Sequence, residues 1–252
     1  MIYLTGDTHG GFERRFNMHN FPGQREMTRD DYVIICGDFG GVWDADGESK
    51  QEKHWLDWFS QKNFTLLFID GNHENFERLN EYPVVKWHGG KVHEIRTNIL
   101  HLMRGQVFEI DGKMIFTFGG ASSHDITGGI LEKEDPQFKK KKKQLDREYI
   151  SYRINHVSWW EQEMPSEAEM EEGKRNLKAH DYIVDYIITH CCSTSTQESI
   201  DKCLYKPDKA TDYLEEIKKC TTYQKWFFGH YHENMNTNDK EILIYEQMIR
   251  IS

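Results

Sequence analysis

Five times along this sequence a short run of aliphatic, β-branched and aromatic residues breaks off into a turn rich in Gly, Asp, Asn and His. Residues 2–5 run into GDTHG, 32–36 into GDFGG, 65–69 into DGNHE, 182–189 into HCC, and 225–228 into GHYH. Runs this short and this continuously apolar predict strands buried on both faces. Between the first three lie stretches long enough for crossover helices, among them KQEKHWLDWF at 50–59. Strand, loop and helix in repetition give an α/β sheet. In such a sheet the carboxyl ends of the strands share one edge, and ligands bind there. Polar turns far apart in sequence therefore converge on one crevice.

The middle of the chain breaks that rhythm. Residues 91–118 read as a meander of short strands, with Asp111-Gly112 marking a hairpin turn. The segment FGGASSHDITGG (118–129) is loop-like, and the charged stretch after it carries lysines at 139–143. Ser166 and Glu169 have capping-box spacing, which opens a helix after Pro165. We read one domain over 1–252, with 122–179 as an insertion between two halves of a sheet. An excursion from the ligand-binding edge is expected to project over the crevice as a lid.

Hydrophobic residues make up 37% and charged residues 29%, the balance of a globular chain. No apolar run reaches the roughly 18 residues that a spanning helix needs, so no membrane partner is expected. The start, MIYLTGDTHG, has neither the basic region nor the apolar core of a secretory signal. Cys36, Cys191, Cys192, Cys203 and Cys220 form an odd set without a CxxC pair. That composition fits free thiols and a cytoplasmic location. A net charge of −10 disfavours a broad basic surface for nucleic acid, while leaving room for a nucleotide held through metal ions.

The turns deliver Asp7, His9, Asp38, Asn72, His190, His230 and His232 to the shared edge. Each offers oxygen or imidazole nitrogen and none offers thiolate. Such a set suits Mn, Fe or Zn, whereas a Ca site would be all oxygen. With one carboxylate shared, it suits two divalent transition-metal ions, Mn first and Fe or Zn as alternatives. A pair of this kind clamps the attacking and leaving oxygens of a phosphoryl transfer and supplies a bridging hydroxide as nucleophile.

The ordered series GDTHG (6–10), GDFGG (37–41), GNHE (71–74), TH (189–190) and GHYH (229–232) resembles the calcineurin-like metallophosphoesterases. The likeness touches almost the whole chain and leaves 122–179 outside the shared motifs. It implies an α/β fold built as a four-layer α/β/β/α sandwich with an inserted lid-like segment. It also implies that Asp7, His9, Asp38 and His232 hold one metal, and that Asp38, Asn72, His190 and His230 hold the other. His73 is implied as the general acid that protonates the leaving oxygen.

Three positions depart from the family pattern. The second motif continues as GDFGGVW where protein phosphatases carry GDxVDRG. Gly41 stands where many members have the Asp that orients the catalytic His, which leaves Asp44 as a candidate substitute for orienting His73. Asn75 replaces the phosphate-gripping Arg that often follows GNHE, so that cation must come from elsewhere. In place of His-x-x-Pro the late motif reads His190-Cys191-Cys192-Ser193. The first two departures argue against a protein phosphatase.

The expected function is metal-dependent hydrolysis of a phosphate ester, the substrate being a small phosphorylated metabolite or a nucleotide. The alternative within catalysis is a nuclease acting on nucleic-acid phosphodiesters, with the lysine-rich insertion lining a strand-binding groove. A non-catalytic scaffold is the rival from another class, and retention of Asp38 and His73 counts against it. Four features outside the motifs admit a structural or a functional role: the lysine run, Trp159-Trp160, Cys191-Cys192 and His124.

Overall fold

Ile2–Thr5 (β1), Tyr32–Ile35 (β2) and Thr65–Phe68 (β3) pair in parallel, with Ile35 opposite both Thr5 and Phe68. The three strands thus end at one level, and the turns after them emerge side by side. Residues 1–201 and 205–252 are described by the computed structural model, and Cys203 lies outside them. The same sheet continues through Val84–Trp87 (β4), Gly90–Arg96 (β5) and Ile99–Leu102 (β6). A second sheet begins with Gln106–Ile110 (β7) and Lys113–Phe118 (β8), while Ile130–Leu131 (β9) and Arg153–Ile154 (β10) form a separate small parallel pair. Later strands are Tyr186–Thr189 (β11), Lys225–Phe228 (β12), Met235–Asn236 (β13), Glu241–Leu243 (β14) and Ile249–Arg250 (β15). The first sheet runs β15-β1-β2-β3-β6-β5-β4 and the second β13-β14-β12-β11-β8-β7.

The stretch read as one meander is shared between the sheets. Its first part pairs β5 with β6, and its second folds β7 back on β8. The hairpin turn sits at Asp111-Gly112, where φ is +52° and +70°. Left-handed backbone at both central positions is what a type I′ turn requires, and Asp-Gly tolerates it. In the second sheet, β8, β11 and β12 are parallel, with Thr189 opposite both Phe118 and Phe228. This sheet therefore also presents aligned strand ends.

Side chains alternate across each strand, which explains why the runs lack polar residues. Ile34, Leu67 and Leu100 point inward and meet Ile115, Ile188 and Phe227 of the facing sheet. Val33, Ile35, Leu66 and Phe68 point outward and are covered by Phe12–Phe16 (α1) and Lys50–Ser60 (α2) through Phe12, Phe16, Leu56 and Phe59. Phe76–Glu81 (α3) follows the third turn, and Phe138–Glu148 (α4) lies in the insertion. The far side of the second sheet packs Phe116, Ile187 and Phe228 against Glu167–Ala179 (α5), Thr194–Ile200 (α6) and Lys209–Cys220 (α7), with Leu177, Leu214 and Ile217 buried there. Helix, sheet, sheet, helix is the expected four-layer sandwich. Truncating one of these buried phenylalanines to Ala would cost about 3–5 kcal/mol.

Within 122–179, α4 buries no residue and turns the lysines at 139–143 to water, where Lys141 pairs with Asp135 and Lys142 with Asp146. The helix α5 behaves differently. Ser166 and Glu169 close both halves of its capping box, and Met170 and Leu177 join the outer core. No helix among the described residues is long and apolar enough to cross a membrane.

Candidate active site

Asp7 and His9 follow β1, Asp38 follows β2, Asn72 and His73 follow β3, His190 follows β11, and His230 and His232 follow β12. Four of these, His9, Asp38, His230 and His232, have φ between +46° and +71°. Residues with a Cβ hold that conformation at a cost of about 1–3 kcal/mol each, and only where the surroundings over-determine it. The surroundings here include the backbone N–H groups of Thr8 and His9, both donating to the Asp38 carbonyl at 3.0 and 2.8 Å. Two glycines admit the side chains. A Cβ on Gly37 would run into the His190 ring, and one on Gly71 into the Asp38 carboxylate.

Asp7, His9, Asp38 and His232 place one donor atom each within 4.8 Å of one another. His9 Nε2 lies 3.0 Å from His232 Nε2, and His232 Nε2 lies 3.1 Å from Asp7 Oδ2. The two oxygens of the other carboxylate meet different histidines. Asp38 Oδ2 is 3.7 Å from His9 Nε2, while Asp38 Oδ1 is 3.3 Å from His190 Nε2. His190 Nε2 is also 3.3 Å from Asn72 Oδ1, and its Nδ1–H donates to the Cys36 carbonyl at 2.8 Å. That backbone contact leaves Nε2 as the ring nitrogen available to a metal. The His230 N–H donates to Asp7 at 3.0 Å, and its ring lies 4.9 Å from that of His190. All seven residues named from the sequence meet in one place.

The charges balance within the cluster. Burial would raise the Asp38 carboxyl, yet His190 holds it far below the ordinary carboxylate range. Burial would lower His190, and Asp38 instead pushes it up to about 10. Enclosure pulls His230 well below the usual imidazole value, aided by His190 and His124. A neutral imidazole is the form a metal accepts.

A sequence profile of calcineurin-like phosphoesterases matches residues 1–234. The chain belongs to that family. A relative, lariat debranching enzyme A of Xenopus laevis, is 28% identical over 145 residues, a stretch covering 52% of this chain and 26% of that protein. The chain thus spans about a quarter of the length of this relative. Calcineurin-like phosphoesterases use divalent metal ions, and the donor set fits them: oxygen and imidazole nitrogen only, converging from the strand ends of both sheets.

This calcineurin-like phosphoesterase differs from its family pattern around His73. The His73 N–H donates to Asp38 Oδ1 at 2.8 Å, its ring meets His9 edge-on at 4.6 Å, and Trp43 stacks on it at 5.5 Å. Among the described hydrogen bonds, none joins the His73 ring to Asp44. That residue is engaged through its backbone, its carbonyl accepting from Asn75 and Arg78 and its N–H donating to Glu52. In its place stands Arg153, on β10 of the insertion, whose Nη2 donates to His73 Nε2 at 2.8 Å. Asp125 anchors the guanidinium at 2.7 and 2.9 Å. Enclosure lowers His73 to about 4, with Arg153 adding to the effect and Asp38 opposing it. Arg153 sits in no motif, so no local signal marks it among the other cations of the insertion.

The remaining departures are structural. Asn75 caps α3 by accepting from the Arg78 N–H, and Ser193 caps α6. Cys191 and Cys192 are buried in the outer core, and burial pushes Cys192 up to about 12 and Cys191 well above the ordinary thiol value. Such thiols are inert packing. Trp160 is 1% exposed and meets Trp43 edge-on at 5.6 Å, so it buttresses the residue under His73 and offers no face to a ligand. His124 does belong to the site, with Nε2 2.6 Å from His230 Nε2. A cavity of about 580 Å³ opens over the cluster, its wall including His9, Asp38, Asn72, His73, His124 and Asp125.

Proposed function

We propose that this chain is a dinuclear phosphoesterase that hydrolyses a small phosphate ester, either a phosphorylated metabolite or a nucleotide. What carries the proposal is Asp38, whose two oxygens face separate groups of donors, His9 on one side and His190 on the other. A carboxylate so placed suits a bridge between two sites. Asp7, His9 and His232 would complete one site, and Asn72, His190 and His230 the other. Divalent ions held there, Mn first and Fe or Zn as alternatives, would supply Lewis acidity and a nucleophile active at neutral pH.

The protein's own contribution lies around the leaving group. Arg153, held by Asp125, would bind a phosphoryl oxygen in the place of the Arg missing after GNHE. His73, stacked on Trp43, would carry the proton to the leaving oxygen, an incoming phosphate anion offsetting the enclosure and the Arg153 charge that together keep its pKa low. A docking device for phosphoproteins is absent from the motifs. Buried free thiols at Cys36, Cys191 and Cys192 support a reducing, cytoplasmic setting.

Cleavage of nucleic-acid phosphodiesters is the second reading, favoured by the similarity to a lariat debranching enzyme. The outward-facing lysines of α4 lend it no support. A screen of phosphomonoesters, phosphodiesters and nucleotides, run with chelator and then with added Mn, tests the proposal. Metal-dependent turnover of small esters is expected. Absence of hydrolysis of every ester under Mn, Fe and Zn would refute it.

A further inference from the structure

A second cavity, of about 510 Å³, adjoins the same cluster. His9 lines both cavities, Asp7 lines only the second, and Asp38 and His73 line only the first. A phosphorus held at this junction would have room for one substituent on the His73 side and another on the Asp7 side. A monoester has one such arm. Two cavities sharing a metal-ligand residue suit a diester.

The second cavity also has a chemistry of its own. Arg14 and Arg15 project from α1 into its wall beside Asn20, Tyr245 and Met248. Arg15 spends one N–H on the Gly6 carbonyl at 2.6 Å and lies 5.7 Å from the Tyr245 ring, which leaves further donors of its planar fork available. Arg14 is exposed, and its ion pair with Glu246 at 3.4 Å is itself exposed and worth little. It can leave that partner for an anion at small cost. Tyr245 stacks on His232 at 4.7 Å and 21°, so the wall of this cavity is fixed to the metal cluster. Asp7 and Glu246 line the same cavity, but a metal ion would draw off the charge of Asp7 and Glu246 is only loosely paired, which leaves the two arginines to meet an anion.

We infer that this cavity receives the retained arm of a phosphodiester and that Arg14 and Arg15 bind a second phosphate on that arm. The inference rests on the phosphoesterase reading above and narrows its substrate. Water oxygen bonds to phosphorus, the P–O bond to the arm on the His73 side breaks, and that oxygen takes a proton. The product left at Arg14 and Arg15 is the monoester carrying the second phosphate. That phosphate can belong to a neighbouring nucleotide unit or to a pyrophosphate, and the two sources are separable.

Calorimetry on the Mn-loaded His73→Gln protein decides between outcomes. The dinucleotides pTpT and TpT differ only in a terminal phosphate, and ADP-ribose and AMP differ in a pyrophosphate-linked arm. The ligand bearing the second phosphate is expected to bind about tenfold more tightly within at least one pair. Arg14→Glu should erase that advantage, and Arg14→Lys should keep most of it. The pair that responds identifies the source of the phosphate. Equal affinity within both pairs, or an advantage that survives Arg14→Glu, would overturn the inference. If none of the four ligands binds and the parent hydrolyses no ester under Mn, the phosphoesterase reading itself has failed.

Discussion

Arg153 Nη2 lies 2.8 Å from His73 Nε2, although 80 residues separate the two in sequence. A guanidinium is a donor only and stays charged at any working pH. His73 Nε2 is therefore an acceptor here, and the ring proton sits on Nδ1. A cation from the insertion thus reaches the ring of His73, in a chain whose GNHE motif is followed by Asn75 in place of Arg.

That contact sets the first prediction. Arg153→Ala should lower kcat/KM on small esters by about 10²–10³-fold, the usual worth of one preorganised charge-stabilising donor. Arg153→Lys should recover only part of the loss, because an ammonium cannot hold Asp125 and reach His73 with a planar fork. Metal content should stay at the parent value in both. Steady-state kinetics beside elemental analysis check this, and full activity in Arg153→Ala would contradict it.

The shared carboxylate sets the second. Asp38→Asn removes the charge that balances His190 and weakens a ligand assigned to both sites. Metal content after reloading with Mn should fall below that of the parent at both positions, and activity should fall with it. Chelation of the parent should abolish hydrolysis, and Mn should restore it. A variant that still binds two ions per chain with parent affinity would show that Asp38 is not the bridge.

The third separates an acid from a ligand. His73→Gln should keep its metals and lose about 10²–10⁴-fold in turnover of an alkyl phosphate. With a nitrophenyl ester, whose leaving group needs no proton, the loss should shrink. Equal losses on both esters would assign His73 to positioning in place of proton transfer.

Much of this site could be read before the fold was known, and the reason is local. Strands buried on both faces leave a continuous apolar signature, and a polar residue just after such a strand is fixed to the shared edge. The strand around Ile187 shows the limit. Its apolar run begins at Tyr182, yet Asp181 and Tyr182 adopt φ of +53° and +56° and Ile183 is exposed, so a single bridge from Ile183 to Thr222 precedes the strand itself, which starts at Tyr186. Helix α7 opens with an Asp208–Thr211 capping box, a weaker signal than the Ser166–Glu169 pair. Tertiary partners leave no local trace at all. The pairing of Arg153 with His73, of Trp160 with Trp43, and of Ser123 with Asn72 all depend on where the insertion comes to rest.

The last prediction concerns stability and pH, away from the metal ligands' own titration. Beneath the site, Arg104 donates to Asp70 at 2.6 and 2.8 Å, and His101 Nε2–H donates to the other oxygen of Asp70 at 3.0 Å. His101 Nδ1 then accepts from His93 Nδ1–H at 2.9 Å, the two rings stacked 5.2 Å apart. Burial, reinforced by His101, lowers His93 to about 4. An unfolded histidine titrates near pH 6.5. Between those values the unfolded chain binds more protons than the folded one, so stability rises with pH and falls as pH drops from about 6.5 to about 4. The loss attributable to His93 should be about 1–3 kcal/mol across that window. His73 contributes with the same sign, so the slope will not vanish when His93 is removed. Urea midpoints measured from pH 7.5 to 4.5 should decline steeply in the parent and less steeply in His93→Gln. A glutamine there also costs some stability at every pH, which shifts the curve without changing its slope. Parallel curves for parent and variant would show that His93 titrates normally and that the buried relay does not couple folding to protons.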